Sequence, residues 1–232
     1  MPDLTIVMPV YNELNTVTDA VERVLAIEYP VDSVELLIVD DGSTDGTRAL
    51  LDDGDWPEQV RIVKHDRNRG KGAALRTGFK EARGTWSAIM DADLEYDPAD
   101  LPKLLEPLLN GDATVVFGTR GFESHSAFSF WYVVGNKAVT FAASILFDAW
   151  LADIMTCHKL MRTELFRSLP LRANGFAVEA EITAGVLNAG HRVFEVPIEY
   201  HARGRDAGKK LTSTDGLRVI GSLLRCRLAP AR

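Results

Sequence analysis

The feature that most constrains the fold is a rhythm in the first 120 residues. Short apolar, β-rich runs alternate with segments whose apolar residues return at helical spacing. Leu4 to Val10 (LTIVMPV) is such a run, closed by Tyr11-Asn12-Glu13, and Val17, Val21, Val24 and Leu25 then repeat at the spacing of one helix face. The pattern recurs with Val34 to Asp40 before Thr44 to Leu51, Val60 to Lys64 before Gly72 to Ala82, and Trp86 to Met90 before Asp100 to Leu109. A fifth strand is expected at Ala113 to Phe117. Strands that are apolar at nearly every position bury both faces, so the alternation predicts an α/β fold with a mostly parallel central sheet covered by helices on both sides.

Beyond residue 120 the rhythm breaks. The apolar stretch Phe128 to Trp150 contains Gly135, Asn136, Lys137 and Asp148, which suits one or two helices lying at an interface better than a spanning helix. A helix is expected at Val178 to Ala189, a strand at Arg192 to Val196, a polar loop at Gly204 to Lys210 and a final amphipathic helix from Asp215 to Arg227. With no internal repeat and no low-complexity linker, the 232 residues are expected to form one domain with a C-terminal helical elaboration. Two cysteines, Cys157 and Cys226, make neither a disulfide framework nor a metal-site spacing, so both read as packing residues in a reducing cytoplasm. Met1-Pro2-Asp3-Leu4 leads straight into a strand, without the features of a secretory signal. Net charge is -7, yet residues 199–232 hold eight Lys/Arg against three Asp/Glu, a basic tail suited to a phosphate or a membrane surface or simply to solvent.

Ligands of parallel sheets sit beyond the carboxyl ends of the strands. The first strand delivers Pro9, Tyr11 and Glu13 there, and the second delivers Asp40, Asp41 and Gly42. The third leads to Arg69, Gly70, Lys71 and Gly72, and the fourth to Asp91 and Asp93. Each group alone also fits a turn or a helix cap. The last pair is harder to explain structurally, because alternation in an extended chain puts both carboxylates on one side, where they repel unless a positive charge joins them. Oxygen ligands suit Mg²⁺ or Mn²⁺ bound through one or two carboxylates and substrate phosphates.

Taken together, Pro9-Val10-Tyr11-Asn12-Glu13, Val39-Asp40-Asp41-Gly42-Ser43, Asn68 to Leu75 (NRGKGAAL) and Asp91-Ala92-Asp93 resemble, in order and spacing, the inverting family 2 glycosyltransferases with a single Rossmann-like GT-A domain. Gly118-Thr119-Arg120 and the stretch from Tyr200-His201-Ala202-Arg203 through Gly208-Lys209-Lys210 are similar to the dolichyl- or polyprenyl-phosphate mannose and glucose synthase branch. The resemblance implies that Pro9, Tyr11, Glu13 and Asp41 hold the base and ribose, with Lys71 over the nucleotide. It also implies that Asp91 and Ala92 meet the ribose or sugar, that Asp93, with Asp91, binds the Mg²⁺ or Mn²⁺, and that Arg120 faces the reacting phosphates. Arg203 with Lys209 and Lys210 would close over them. It divides the chain into a nucleotide-sugar half, 1–120, and an acceptor half, 121–232, with membrane-interface helices near 128–150 and 215–227. The implied partners are a nucleotide-sugar donor of the GDP-mannose or UDP-glucose type, a polyprenyl-phosphate acceptor, the cytoplasmic membrane surface and a separate membrane subunit, with no nucleic acid.

The acceptor decides whether a base is required. A hydroxyl must lose a proton, whereas a lipid monophosphate, with a second ionisation near pH ~6, already carries a nucleophilic oxygen. Candidate bases are Glu179 and Glu181, which on a helix diverge by about 200° and cannot both enter one site. Glu181 is assigned either to a sugar contact or to an exposed helix face, and Lys137 to the acceptor phosphate. The five histidines lack metal-ligand spacing. A transferase with a soluble hydroxyl acceptor and a silent nucleotide-binding module remain as alternatives; a nucleotidyltransferase ranks last, because Pro9 to Glu13 is too bulky for a triphosphate loop.

Overall fold

The computed structural model describes residues 2–121, 130–201 and 213–228. Seven strands form one sheet: β1 (Leu4–Val10), β2 (Val34–Asp40), β3 (Val60–Lys64), β4 (Trp86–Ile89), β5 (Val115–Arg120), β6 (Lys159–Arg162) and β7 (Val193–Ile198). Their order is β3-β2-β1-β4-β6-β5-β7. Every pairing is parallel except those of β6, which runs against both β4 and β5.

Helices fill the connections: α1 (Val17–Leu25), α2 (Thr47–Asp53), α3 (Lys71–Glu81), α4 (Leu101–Leu109), α5 (Phe130–Phe147), α6 (Thr163–Ser168), α7 (Val178–Asn188) and α8 (Ser213–Leu228). Alternation along β1 sorts them. Leu4, Ile6, Met8 and Val10 pack with α1 and α4 through Val17, Val21, Leu101 and Leu104, whereas Val7 faces α3, α6 and α7 with Leu75, Phe79, Phe166 and Val178. Both faces are therefore covered, as parallel strands require. A third apolar layer, Val139 and Ala143 of α5, Ala180 and Ala184 of α7, and Val219 and Leu223 of α8, joins the C-terminal helices outside the sheet.

The first four strand-helix units fall where the sequence rhythm puts them. Three details differ. β5 begins at Val115 and runs on to Arg120, so Gly118-Thr119-Arg120 belongs to the strand. β6 and α6 carry no rhythm: β6 is only four residues long and opens on a charged residue, Lys159, that is fully buried. β4 ends at Ile89, and the chain turns at Ala92-Asp93 before Leu94 adopts a φ of 60°, so Asp91 and Asp93 sit on a turn and not on an extended terminus.

Candidate functional site

At the carboxyl ends of β1 and β2 the backbone is tied by side chains. Asn12 N–H donates to Ser43 Oγ (3.0 Å), Thr44 N–H to Asn12 Oδ1 (2.8 Å) and Glu13 N–H to Thr47 Oγ1 (3.0 Å). Pro9, Tyr11 and Glu13 are half-buried around this seam. Asp40 is buried and accepts from Ser43 N–H (3.0 Å) and Arg48 Nε (2.7 Å). Asp41, also buried, accepts from Arg69 N–H (3.0 Å) and Gly70 N–H (2.6 Å), and its Oδ1 lies 2.6 Å from His65 Nδ1. His65 Nε2 is in turn 2.9 Å from Thr77 Oγ1. The Asp41 carboxylate thus shapes the loop that leads from β3 into α3.

Lys71 opens α3 and reaches inward, where its Nζ donates to Asp91 Oδ2 (2.8 Å) and Cys157 Sγ (2.9 Å) and lies 3.1 Å from Glu179 Oε1. Lys159 Nζ pairs with the other oxygen of Glu179 at 2.7 Å and donates to the Ile154 and Thr156 carbonyls. Two ammoniums and two carboxylates therefore interleave at the ends of β4 and β6. Burial opposes the charge on Lys71, but Asp91, Cys157 and Glu179 outweigh it and raise its pKa well above the usual value. Burial likewise pushes Asp91 up, and Lys71 more than reverses this, leaving its pKa lowered. Cys157 is held as a thiol by burial and by Asp91. It is more than a packing residue, since it sits against the ammonium that orients Asp91.

Asp93 is half-buried two residues on, and its Oδ1 accepts from Glu95 N–H (3.1 Å) within the turn. Among the described residues no three His, Cys, Asp or Glu side chains gather as metal ligands. The donor set fits a hard divalent cation only in the mode that takes one or two carboxylates from the protein and the rest from phosphate and water. Asp93 would hold the ion with Asp91 beside it. Ala92 between them is buried.

Arg120, at the end of β5, is buried against Asp153: Nε to Oδ2 is 2.6 Å and Nη2 to Oδ1 is 2.9 Å. Its guanidinium lies over the Tyr200 ring, 5.0 Å from the centroid. Tyr200 packs its ring at a tilt against that of Tyr96 and donates its hydroxyl to Glu95 Oε2 (2.5 Å), while the Tyr96 hydroxyl accepts from Cys157 N–H (3.2 Å). Arg120 and the Lys71–Asp91 cluster are thus parts of one connected structure. Burial raises the Asp153 carboxyl, but the Arg120 charge beside it wins and lowers its pKa.

Lys137 is exposed, with Nζ donating to the Ala152 carbonyl (3.2 Å). Glu181 is buried, which overturns the exposed-face reading; its Oε2 accepts from Arg172 N–H and Ala173 N–H, both at 2.7 Å. It braces the segment that packs onto α3, where Gly72 N–H donates to the Asn174 carbonyl (2.7 Å). Glu179 and Glu181 do diverge on α7, the first toward Lys71 and the second toward residues 172–173. Arg203, Lys209 and Lys210 lie outside the described residues, as do His125 and Phe128. Sequence reading did not single out Asp153 or Lys159, nor the roles of Cys157, Glu95 and Tyr200.

The sequence profile described as Glycosyl transferase family 2 matches residues 5–169, which contain the first four strand ends and both carboxylates of the turn. The chain belongs to glycosyl transferase family 2. This family 2 chain is 31% identical over 226 residues to a dodecaprenyl-phosphate galacturonate synthase of Rhizobium johnstonii, covering 96% of the chain and 65% of the relative. It is 30% identical over 209 residues to a polyprenol monophosphomannose synthase of Mycolicibacterium smegmatis, covering 85% of the chain and 77% of the relative. The family 2 chain therefore spans just under two thirds of the galacturonate synthase. Among solved structures, glucosyl-3-phosphoglycerate synthase from Mycobacterium tuberculosis, in complex with Mg²⁺ and uridine diphosphate, superposes with a TM-score of 0.72 at 20% identity, covering 99% of this chain and 80% of that one. That likeness establishes a shared fold.

Proposed function

We propose that this chain transfers a hexose, with inversion, from a nucleoside-diphosphate sugar of the GDP-mannose or UDP-glucose type to a polyprenyl phosphate. The observation that carries the reading is the cluster at the end of β4: Lys71 fixes Asp91 while Asp93 lies half-buried on the adjoining turn. In this reading Pro9, Tyr11, Glu13 and Asp41 line the base and ribose, and Asp91 and Ala92 lie under the sugar. Asp93 takes the Mg²⁺ or Mn²⁺, which when bound supplies Lewis-acid stabilisation of several kcal/mol to the leaving diphosphate. Arg120, with Arg203, Lys209 and Lys210, neutralises the phosphates, since a planar guanidinium can offer paired N–H donors to their oxygens.

The choice of acceptor is supported by what the glutamates do. Glu179 is engaged with two lysines and Glu181 with two backbone amides, so neither α7 carboxylate is placed as the base that a hydroxyl acceptor needs. A phosphate acceptor arrives ionised. The relatives named for polyprenyl-phosphate synthesis point the same way. α5 supplies a surface for such a lipid: Phe130, Val134, Phe141 and Ile145 are exposed along it, and Trp150 just beyond is 92% exposed. At about 100° per residue these four helical side chains fall within an arc of about 60°. Lys137 lies at the edge of that arc, where it can meet a lipid phosphate, and α8 adds exposed Leu224 and Leu228 with Arg225 and Arg227. None of the described helices is long and apolar enough to cross a membrane; this reading places α5 and α8 against the cytoplasmic membrane face as peripheral contacts.

Incubation of the protein with labelled nucleotide sugars, Mn²⁺ and polyprenyl phosphate is expected to give a lipid-soluble labelled product. Asp93→Ala should lower its rate on the order of 10²-fold or more. Product formation on a soluble hydroxyl acceptor alone would replace the lipid acceptor, and turnover untouched by Asp93→Ala would remove the metal-diphosphate role.

A further inference from the structure

Asp153 has no place in the donor or acceptor sets above, yet both of its oxygens hold Arg120 along one guanidinium edge, through Nε and Nη2. The same carboxylate accepts from Asn136 Nδ2 on α5 (3.2 Å) and from Met155 N–H (3.1 Å). The carboxylate decides the amide orientation of Asn136, because a carbonyl oxygen turned toward it would repel. The next residue on the helix, Lys137, donates to the Ala152 carbonyl, and on the other side Glu195 accepts from the Ala152 N–H at 2.9 Å. Residues 152–153 are therefore clamped between α5 and β7.

The opposite face of α5 carries its exposed apolar side chains. Asn136 lies roughly 120° around the helix from Phe130 and roughly 160° from Val134, beside the buried Val139 and Ala143. One helix thus presents its outward side chains to a lipid and an inward amide to the carboxylate that aims Arg120.

The geometry points to Asp153 as the positioning residue for Arg120, with Asn136 transmitting the seating of α5 to that guanidinium. This rests on the reading of Arg120 as a phosphate-facing group. An arginine held on one edge by a carboxylate and underneath by the Tyr200 ring keeps its orientation before substrate arrives. A small misplacement of such a group costs on the order of 10²-fold in rate.

The test is a double-mutant cycle of Arg120→Ala and Asp153→Asn in lipid-phosphate glycosylation, with the Arg120 Nε–H resonance, assigned by its loss in Arg120→Lys, as a second readout. Asp153→Asn is expected to lower kcat on the order of 10²-fold while the donor KM stays within about twofold, and to add nothing in the Arg120→Ala background. Asn136→Ala, a milder change at a half-buried site, is expected to lower kcat a few-fold and to shift the same resonance. Additive losses, or an Asp153→Asn enzyme with normal kcat, would overturn the assignment while Arg120 kept its role. A normal Arg120→Ala enzyme would overturn the reading of Arg120 and the assignment with it. If no acceptor supports turnover, the resonance decides: unchanged in Asp153→Asn and Asn136→Ala, it overturns the positioning role, and shifted or exchange-broadened in both, it upholds it.

Discussion

Glu179 divides its two oxygens between Lys71, at 3.1 Å, and the fully buried Lys159, at 2.7 Å. Truncating the second lysine leaves a carboxylate in the interior with half its partners, so Lys159→Met is expected to cost about 3 kcal/mol, the low end for a broken buried pair because Lys71 remains. Urea unfolding measures it, and a loss below about 1 kcal/mol would show that the cluster relaxes or hydrates. His158, behind Asp91, gives a pH signature. Burial lowers its pKa in the folded protein, whereas the unfolded chain takes the proton near pH ~6.5. Stability from this group is thus complete above about pH 6.5 and falls as acid carries the solution from there toward the folded pKa. His158→Gln should flatten the stability curve across that window; an unchanged slope would assign it to other groups. Of these residues, Asp91, Asp93 and Lys71 were legible in the sequence because they follow strand ends within short motifs. Cys157, His158 and Lys159 were not, since a buried lysine and a buried thiol look like solvent and packing until their partners from α3 and α7 are in place.

At the level of elements, one reversed strand accounts for most of what sequence reading missed. Residues at the carboxyl ends of parallel strands are the expected site, but β6 is antiparallel, so its amino end lies there instead. Asp153, Cys157 and Lys159 all precede or open β6 and arrive at the site from the unexpected direction. Four residues with no alternation and no turn signal gave no warning of it. The start of α3 carries a sharper structural demand. Gly70 has a φ of +92°, and a Cβ at Gly72 would overlap the Ala173 carbonyl oxygen, so the 172–175 segment can close on α3 only over bare backbone. Gly72→Ala is expected to destabilise by about 1–3 kcal/mol and to weaken uridine or guanosine diphosphate binding, because Lys71 moves with the helix start. Calorimetry showing native affinity in a folded variant would contradict the second half of that expectation.

For the whole molecule, the doubly covered sheet was readable because strand and helix periods differ so plainly over the first 120 residues. The packing of α5, α7 and α8 was not, because α5 is apolar on both its outer and inner faces and periodicity alone does not tell them apart. That outer stripe is testable directly. Flotation with anionic phospholipid vesicles should carry the protein, and replacing Phe141 and Ile145 by serine should reduce the bound fraction about tenfold or more, given about 1.5–3 kcal/mol for each buried side chain; equal flotation would remove the membrane role of this face. The sheet itself ends at β3, which carries Arg61 and Lys64, and at β7, where Pro197 has no N–H to offer. Neither border is an inviting template for another chain's backbone. Self-association in concentrated solution will therefore begin between helices, as a greasy and reversible contact and not as a growing fibril. A mild detergent, more than a change of salt, is the additive that keeps this protein dispersed on the bench.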